Sequence, residues 1–260
     1  MNLTVIKIGG NIIDDKARLS SFLKDFSAVK GFKILVHGGG KIATEIGKKS
    51  GIEPNYINGR RITDEQTLNL VTMVYGGLIN KNMVAELQSY GTNAIGLTGA
   101  DGDILPAVKR PVKDIDYGFV GDIKSDTING ELITKFLHSG LTPVFAPITH
   151  DRKGCLLNTN ADTIAQEIAQ EMSRYMPVEL IYCFEKKGVL LDASDDSSII
   201  NNITSKDFIK LKEKGIISGG MIPKLENAFA AIEKGVKNVI IGHAEELPAL
   251  ISGNSGTCIK

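Results

Sequence analysis

Short apolar runs alternate with longer segments of helical period along most of this chain, and that alternation leaves few architectures open. LTVIKI reads as a strand, after which Leu19, Phe22, Leu23, Phe26 and Val29 fall on one face of an amphipathic helix. KILVH is a second strand, ending on GGGK. Residues 62 to 91 read as one long helix, with Thr63 and Gln66 as its capping box. NAIGLTG is a further strand; residues 103 to 125 lack helical period and contain DYGFVGD, which predicts short hairpins. KFLHSGLTPVFAPI is a helix end, a turn and a strand, and ADTIAQEIAQEM puts Ile164, Ile168 and Met172 on one helix face. VELIYCF is a strand with GVLLD extending from the turn after it. SKDFIKLKEKG and PKLENAFAAIEKG read as helices, and VKNVIIG as a last strand. The pattern predicts an α/β fold: an open, mostly parallel central sheet sandwiched by helices.

No linker or low-complexity stretch interrupts the 260 residues, so a single domain is expected, with any division into lobes falling near residues 170–180 along a continuous sheet. Thirty basic and thirty acidic residues cancel, which gives no support to a nucleic-acid partner. No segment approaches the roughly 20 apolar residues needed to span a bilayer, and the pattern of a signal peptide is missing. Cys155, Cys183 and Cys258 are odd in number and widely spaced, as expected of reduced thiols in a cytoplasmic protein; no close pairing suggests a metal site.

Two glycine turns, KIGG and HGGGK, end successive strands. In an open α/β sheet ligands bind beyond the carboxyl ends of the strands, and glycine there lets backbone N–H groups approach an anion. Lys7 leads into the first turn, and a lysine is seldom buried unless paired. These turns match neither a Walker A loop nor a dinucleotide fingerprint, so alone they assign no nucleotide. In SGGMIPK, Pro223 suits the first helical position and puts Lys224 in the first turn, the unfavourable end of the macrodipole for a cation unless an anion is also bound. In NTNAD, Asn158 and Asn160 alternate along an extended stretch and so share a side, although Asn160 or Asp162 also suits a helix cap. Arg60 and Arg61, adjacent in NGRRITD, face opposite ways, and arginine binds carboxylates through paired hydrogen bonds. His37 reads as structural, no G-x-S-x-G turn is present, and His138, His150 and His243 lack metal-ligand spacing.

In this order and spacing, IKIGG, VHGGG, NGRRITD, LNTNAD and GGMIPK are similar to the motifs of the amino acid kinase family, and within it to the acetylglutamate kinase branch. The resemblance covers nearly the whole chain. It implies an ATP-dependent N-acylglutamate 5-kinase of arginine biosynthesis, with Mg²⁺ accompanying ATP and no metal held by protein side chains. Lys7 and Lys224 would stabilise the transferred phosphoryl group and Asp162 would orient them. Gly39, Gly40, Arg61, Asn158 and Asn160 would hold the substrate, and Gly9 and Gly10 the phosphates. The nucleotide would lie against Glu185, Lys186, Lys187, Gly188, Val189, Leu190, Ile216, Ile217 and Ser218. Residues 1–175 would form an acylglutamate-binding N-lobe and residues 176–260 an ATP-binding C-lobe. Two departures stand out: Arg60 replaces a usual Leu or Met, and the usual T-D-x-x-G turn is FEKKG, with Glu185 as its acid. Arg60 raises N-succinyl-L-glutamate beside N-acetyl-L-glutamate as substrate. The resemblance also implies a cytoplasmic homodimer. Arginine-inhibited relatives carry a helix before the first strand, whereas Lys7 here follows six residues, so insensitivity to arginine is expected. Carbamate or uridylate kinase activity, or a non-catalytic sensor of the same fold, are the alternatives; loss of a phosphate lysine would mark the sensor, and both lysines are present.

Overall fold

In the computed structural model, residues 2–57, 60–192, 194–195, 197–217 and 221–260 are described. The buried run LTVIKI forms β1 (Leu3–Ile8), at the middle of an eight-stranded sheet. The other strands are β2 (Phe32–His37), β3 (Tyr56–Ile57), β4 (Arg60–Arg61), β5 (Ala94–Leu97), β6 (Val108–Lys109), β7 (Gly121–Asp122), β8 (Thr142–Phe145), β9 (Ile148–His150), β10 (Leu156–Asn158), β11 (Val178–Phe184), β12 (Asn202–Ile203), β13 (Asn238–His243) and β14 (Thr257–Ile259). The helices are α1 (Gly10–Asp14), α2 (Lys16–Ala28), α3 (Gly40–Lys49), α4 (Glu65–Val71), α5 (Asn80–Ser89), α6 (Gly130–His138), α7 (Ala161–Met172), α8 (Ser205–Glu213), α9 (Met221–Glu233) and α10 (Leu247–Ile251).

The large sheet runs in the order β12-β14-β13-β11-β1-β2-β8-β5 and is parallel except where β13 meets β14. Strands from residues before 146 occupy one half and strands from residues after 177 the other, meeting where β1 pairs with β11. Side chains alternate across the strands. Val5, Val36, Leu180 and Tyr182 face α6, α7, α8 and α9, whereas Ile6, Ile8, Leu35 and Ile181 face α2, α4, α5 and α10. Three short antiparallel pairs, β3–β4, β6–β7 and β9–β10, are tied by single bridges at Thr63–Gly118, Pro106–His150 and Val120–Asn158.

Two local expectations need correction. The long helix does not open on a Thr63–Gln66 box: the Asp64 side chain accepts from the Thr67 N–H at 2.8 Å and caps α4. Thr63 is diverted because its backbone bridges Gly118 and its hydroxyl donates to the Arg61 carbonyl, so the helix begins one residue later. That helix also widens into a π-helical segment, Thr72–Ile79, before continuing as α5. The second correction concerns α9, which opens at Met221 and makes Pro223 its third residue, not its first. Proline is tolerated there because no N–H of the first turn has a helical partner. Lys224 remains in that turn, as expected.

Candidate functional site

The carboxyl ends of β1 and β2 lead directly into α1 and α3 through glycines, and α7 and α9 begin near the same edge of the sheet. Helix N-termini gathered at the ends of parallel strands favour an anion. Lys7 lies in their midst. It shares the Val5 side of β1, so its stem is enclosed under α7 and it is only 7% exposed. The negative partner that burial demands is Asp162, in the first turn of α7, with its Oδ1 2.6 Å from the Lys7 ammonium.

Two clefts open on either side of this ion pair and share Lys7, Gly9 and Gly10. The first, about 280 Å³, is walled by Gly39, Arg61, Asn158, Asn160 and Asp162 among the expected substrate and catalytic residues. Gly40 opens α3 immediately after Gly39. Gly39 has φ +153°, and a Cβ there would stand 2.3 Å from Ile79 Cδ1, so only glycine lets the π-helical segment close over the turn. Arg61, 8% exposed, donates to Thr44 Oγ1 at 2.8 Å and to the Tyr56 hydroxyl, and lies over the Tyr56 ring. Arg60 is exposed on the opposite side of β4, as the alternation predicted, yet also reaches the cleft wall. Asn158 donates its amide to Thr63 Oγ1 at 3.0 Å. Asn160 takes the capping role, accepting from the Thr163 N–H.

The second cleft, about 380 Å³, is walled by Phe184, Glu185, Lys186, Gly188 and Lys224. The remaining residues expected against a nucleotide are elsewhere or undescribed. Val189 and Ile217 are buried in the core, and Val189 donates to Thr257 Oγ1. Lys187 points toward Glu246, Leu190 bridges Ile199, and Ile216 closes the end of α8 through the Leu211 carbonyl. Ser218 lies outside the described residues.

Neither His37 nor Cys183 is set up as a nucleophile or base. His37 is fully buried, and burial pulls its pKa down to about 4. Its Nδ1–H donates to the Gly38 carbonyl and its Nε2 accepts from Asn80, so the ring is neutral and structural, as expected. Burial pushes the Cys183 thiol up to about 12, with Lys7 opposing the shift. Burial also lowers the pKa of Lys224, against the pull of Asp162. Among the described residues no group of three or more His, Cys, Asp or Glu side chains could hold a metal, and no helix is long and apolar enough to cross a membrane.

Sequence reasoning missed Tyr56, Tyr75 and Arg110 in the first cleft and Phe184 in the second. Arg110 is fixed by two hydrogen bonds from its Nε to the Asp122 carboxylate, at 3.0 and 3.2 Å. Tyr75 reaches the cleft from the π-helical segment. Of these residues only Phe184 left a trace in the sequence, as part of the unusual FEKKG turn.

The amino acid kinase family model matches residues 2–243. The chain is similar to an acetylglutamate kinase of Phocaeicola vulgatus, 55% identical over 258 residues, covering 99% of this chain and 98% of that one. An acetylglutamate kinase of Cytophaga hutchinsonii is 56% identical over 253 residues, 97% of this chain and 95% of its own. Among solved structures, N-acetylglutamate synthase from Neisseria gonorrhoeae, complexed with coenzyme A and N-acetyl-glutamate, superposes with a TM-score of 0.82 at 21% identity, over 99% of this chain and 59% of that one.

Proposed function

The chain belongs to the amino acid kinase family, and from that premise we propose that it transfers the γ-phosphoryl group of ATP to the side-chain carboxylate of N-acetyl-L-glutamate, an N-acylglutamate 5-kinase step of arginine biosynthesis. The observation that carries this reading is the pair of clefts meeting at Lys7, Gly9 and Gly10. The amino-acid substrate occupies the first cleft and ATP the second. A carboxylate oxygen forms a bond to the γ-phosphorus, the bond to the bridging oxygen breaks, and its electron pair leaves with ADP. The products are an acyl phosphate and ADP.

The nucleophile has a pKa near 4.3 in its free form and is already ionised at neutral pH, so no general base is needed. What the reaction requires is a way to bring an anion against a polyphosphate. Lys7 and Lys224 supply the opposing charge from the two clefts, and Asp162 holds Lys7 in place. Arg61 is braced by Thr44 and Tyr56 to pair with the α-carboxylate. Because the Asn158 amide N–H is committed to Thr63, its Oδ1 is the atom that accepts from the acylamide N–H. Mg²⁺ usually binds phosphate oxygens and water with one or two carboxylates. Glu185 and Asp162 are the acids bordering the clefts and would hold the metal that accompanies ATP. When bound, it neutralises charge on the phosphates.

The test is ATP-dependent formation of acyl phosphate, trapped as its hydroxamate. Lys7→Ala and Lys224→Ala are each expected to lower kcat by about 10²-fold or more, with a smaller change in KM for the acylglutamate, as when an oxyanion donor is removed. Near-wild-type kcat in either folded variant would overturn the reading.

Arg60 supports a second reading, that the acyl group is succinyl. Arg60 borders the first cleft, where a terminal carboxylate would pair with its guanidinium through charge-assisted hydrogen bonds. Preference for the succinyl compound in kcat/KM, reversed by Arg60→Leu, is the expected result. Preference for the acetyl compound in the unaltered enzyme would remove it.

A further inference from the structure

One aromatic ring touches both lysines. The Lys224 ammonium lies 3.7 Å from the centroid of Phe184, and the Lys7 ammonium lies 5.2 Å from the same centroid. The ring is itself fixed. Phe184 ends β11, and the ring stacks at 15° on Tyr182 two residues earlier, with centroids 5.9 Å apart. The Tyr182 hydroxyl in turn donates to the Asp162 carbonyl at 3.2 Å. Phe184, Tyr182, Asp162 and the two lysines thus form one connected group, built from β1, α7, β11 and α9.

Two ammonium groups brought to one point repel each other. Asp162 compensates one through the short ion pair with Lys7. Lys224 forms no ion pair among the described residues, and it is partly buried on a helix end that disfavours a cation. Asp162 and Glu185 attract this ammonium without pairing with it, so an aliphatic wall there would leave a partly dehydrated cation with no partner in contact, and the flexible side chain would relax into solvent. The negative face of an aromatic ring supplies that contact without adding a further anion that would repel ATP.

We propose that Phe184 is a positioning residue for phosphoryl transfer, its ring face holding the Lys224 ammonium, and secondarily that of Lys7, at the junction of the two clefts. This rests on the reading that Lys224 serves the transferred phosphoryl group. The ring makes no contact with the reacting atoms; it keeps the cation partly dehydrated and within the cleft, so that less reorganisation accompanies each turnover.

The test separates the electrostatics of the ring from its bulk. Singly, doubly and triply fluorinated phenylalanine at position 184 keeps the shape while draining negative charge from the face. The expected result is a stepwise fall in kcat, about tenfold across the series, with KM for ATP and the melting temperature close to those of the unmodified enzyme. Phe184→Leu should show a similar loss and Phe184→Tyr should restore activity. If kcat is independent of fluorination, the ring merely fills space and the proposal is overturned. Lys224→Ala in the same assay separates the two levels. Loss of activity there together with a flat fluorine series removes only the role of Phe184, whereas wild-type kcat in Lys224→Ala removes the underlying reading as well.

Discussion

Arg61 and His37 are both buried polar residues, and their neighbours give them opposite tasks. Arg61 is braced from α3 and β3, so its charge faces the cleft in a set geometry. Arg61→Gln is therefore expected to raise KM for the acylglutamate about tenfold or more, since a charge-assisted pair is replaced by a neutral one, with a smaller effect on kcat. Steady-state kinetics at saturating ATP decides it. His37 is enclosed with both ring nitrogens committed. Its pKa falls from 6.5 to about 4 on folding, so between these values the unfolded chain binds the additional proton. Its contribution to stability is complete above pH 6.5 and is lost as pH falls through that window, to a total of about 3 kcal/mol. Urea unfolding across the window should show this slope, and His37→Gln should lack it.

At the scale of elements, the segment from Asp64 to Ser89 shows how tertiary contacts reshape a helix. Its start is set by the Asp64 cap. Asp64→Ala is expected to cost about 1 kcal/mol, whereas Gln66→Ala should change stability by no more than about 0.5 kcal/mol. Equal effects in denaturant melts would restore the Thr63–Gln66 box. Helical period along this segment was legible in the sequence. Its widening at Thr72–Ile79 was not, because it reflects what lies beneath: Ile79 and Tyr75 pack onto Gly39, a residue far away in the chain. The short α1 was equally hidden, since five residues are too few to show a period.

Across the whole molecule, the sheet divides at β1 and β11, and the two clefts lie on either side of that line. We propose that the earlier residues form the acylglutamate lobe and the later ones the ATP lobe. A non-hydrolysable ATP analogue should then slow amide exchange around Phe184–Gly188 and the start of α9, and the acylglutamate around β4 and β10. The reverse pattern would exchange the lobes. The proposed homodimer has a narrower basis than the sequence suggested. Of the apolar residues Leu70, Val71, Val74, Leu78 and Ile79, four are buried within the protein's own core. Leu78, 48% exposed, and Met73, 65% exposed, remain on the surface of the π-helical segment as a contact for a second copy. Light scattering should give twice the 28.0 kDa chain mass, and Leu78→Glu should halve it; a monomer in the unaltered protein ends this proposal.

The sequence by itself determined the alternation of strands and helices, the glycine turns after β1 and β2, and the identity of Lys7, Arg61, Asn158, Asp162 and Lys224 as the polar groups to watch. The alternation and the turns are local signals, periods or spacings that the chain carries within a few turns of itself, whereas the choice of Arg61 over Arg60 and the roles of Asn158 and Asp162 came from the family resemblance. The tertiary structure decided which of the two lysines Asp162 pairs with, Lys7, and it alone decided that Thr63 orients Asn158 across 95 residues, that Tyr75 and Arg110 enter the first cleft, and that Phe184 stands under both lysines. Those facts depend on which strands become neighbours. In this sheet, residues far apart in the chain are brought together by hydrogen-bonded pairing and a shared core, and no local pattern records which side chain another will meet there.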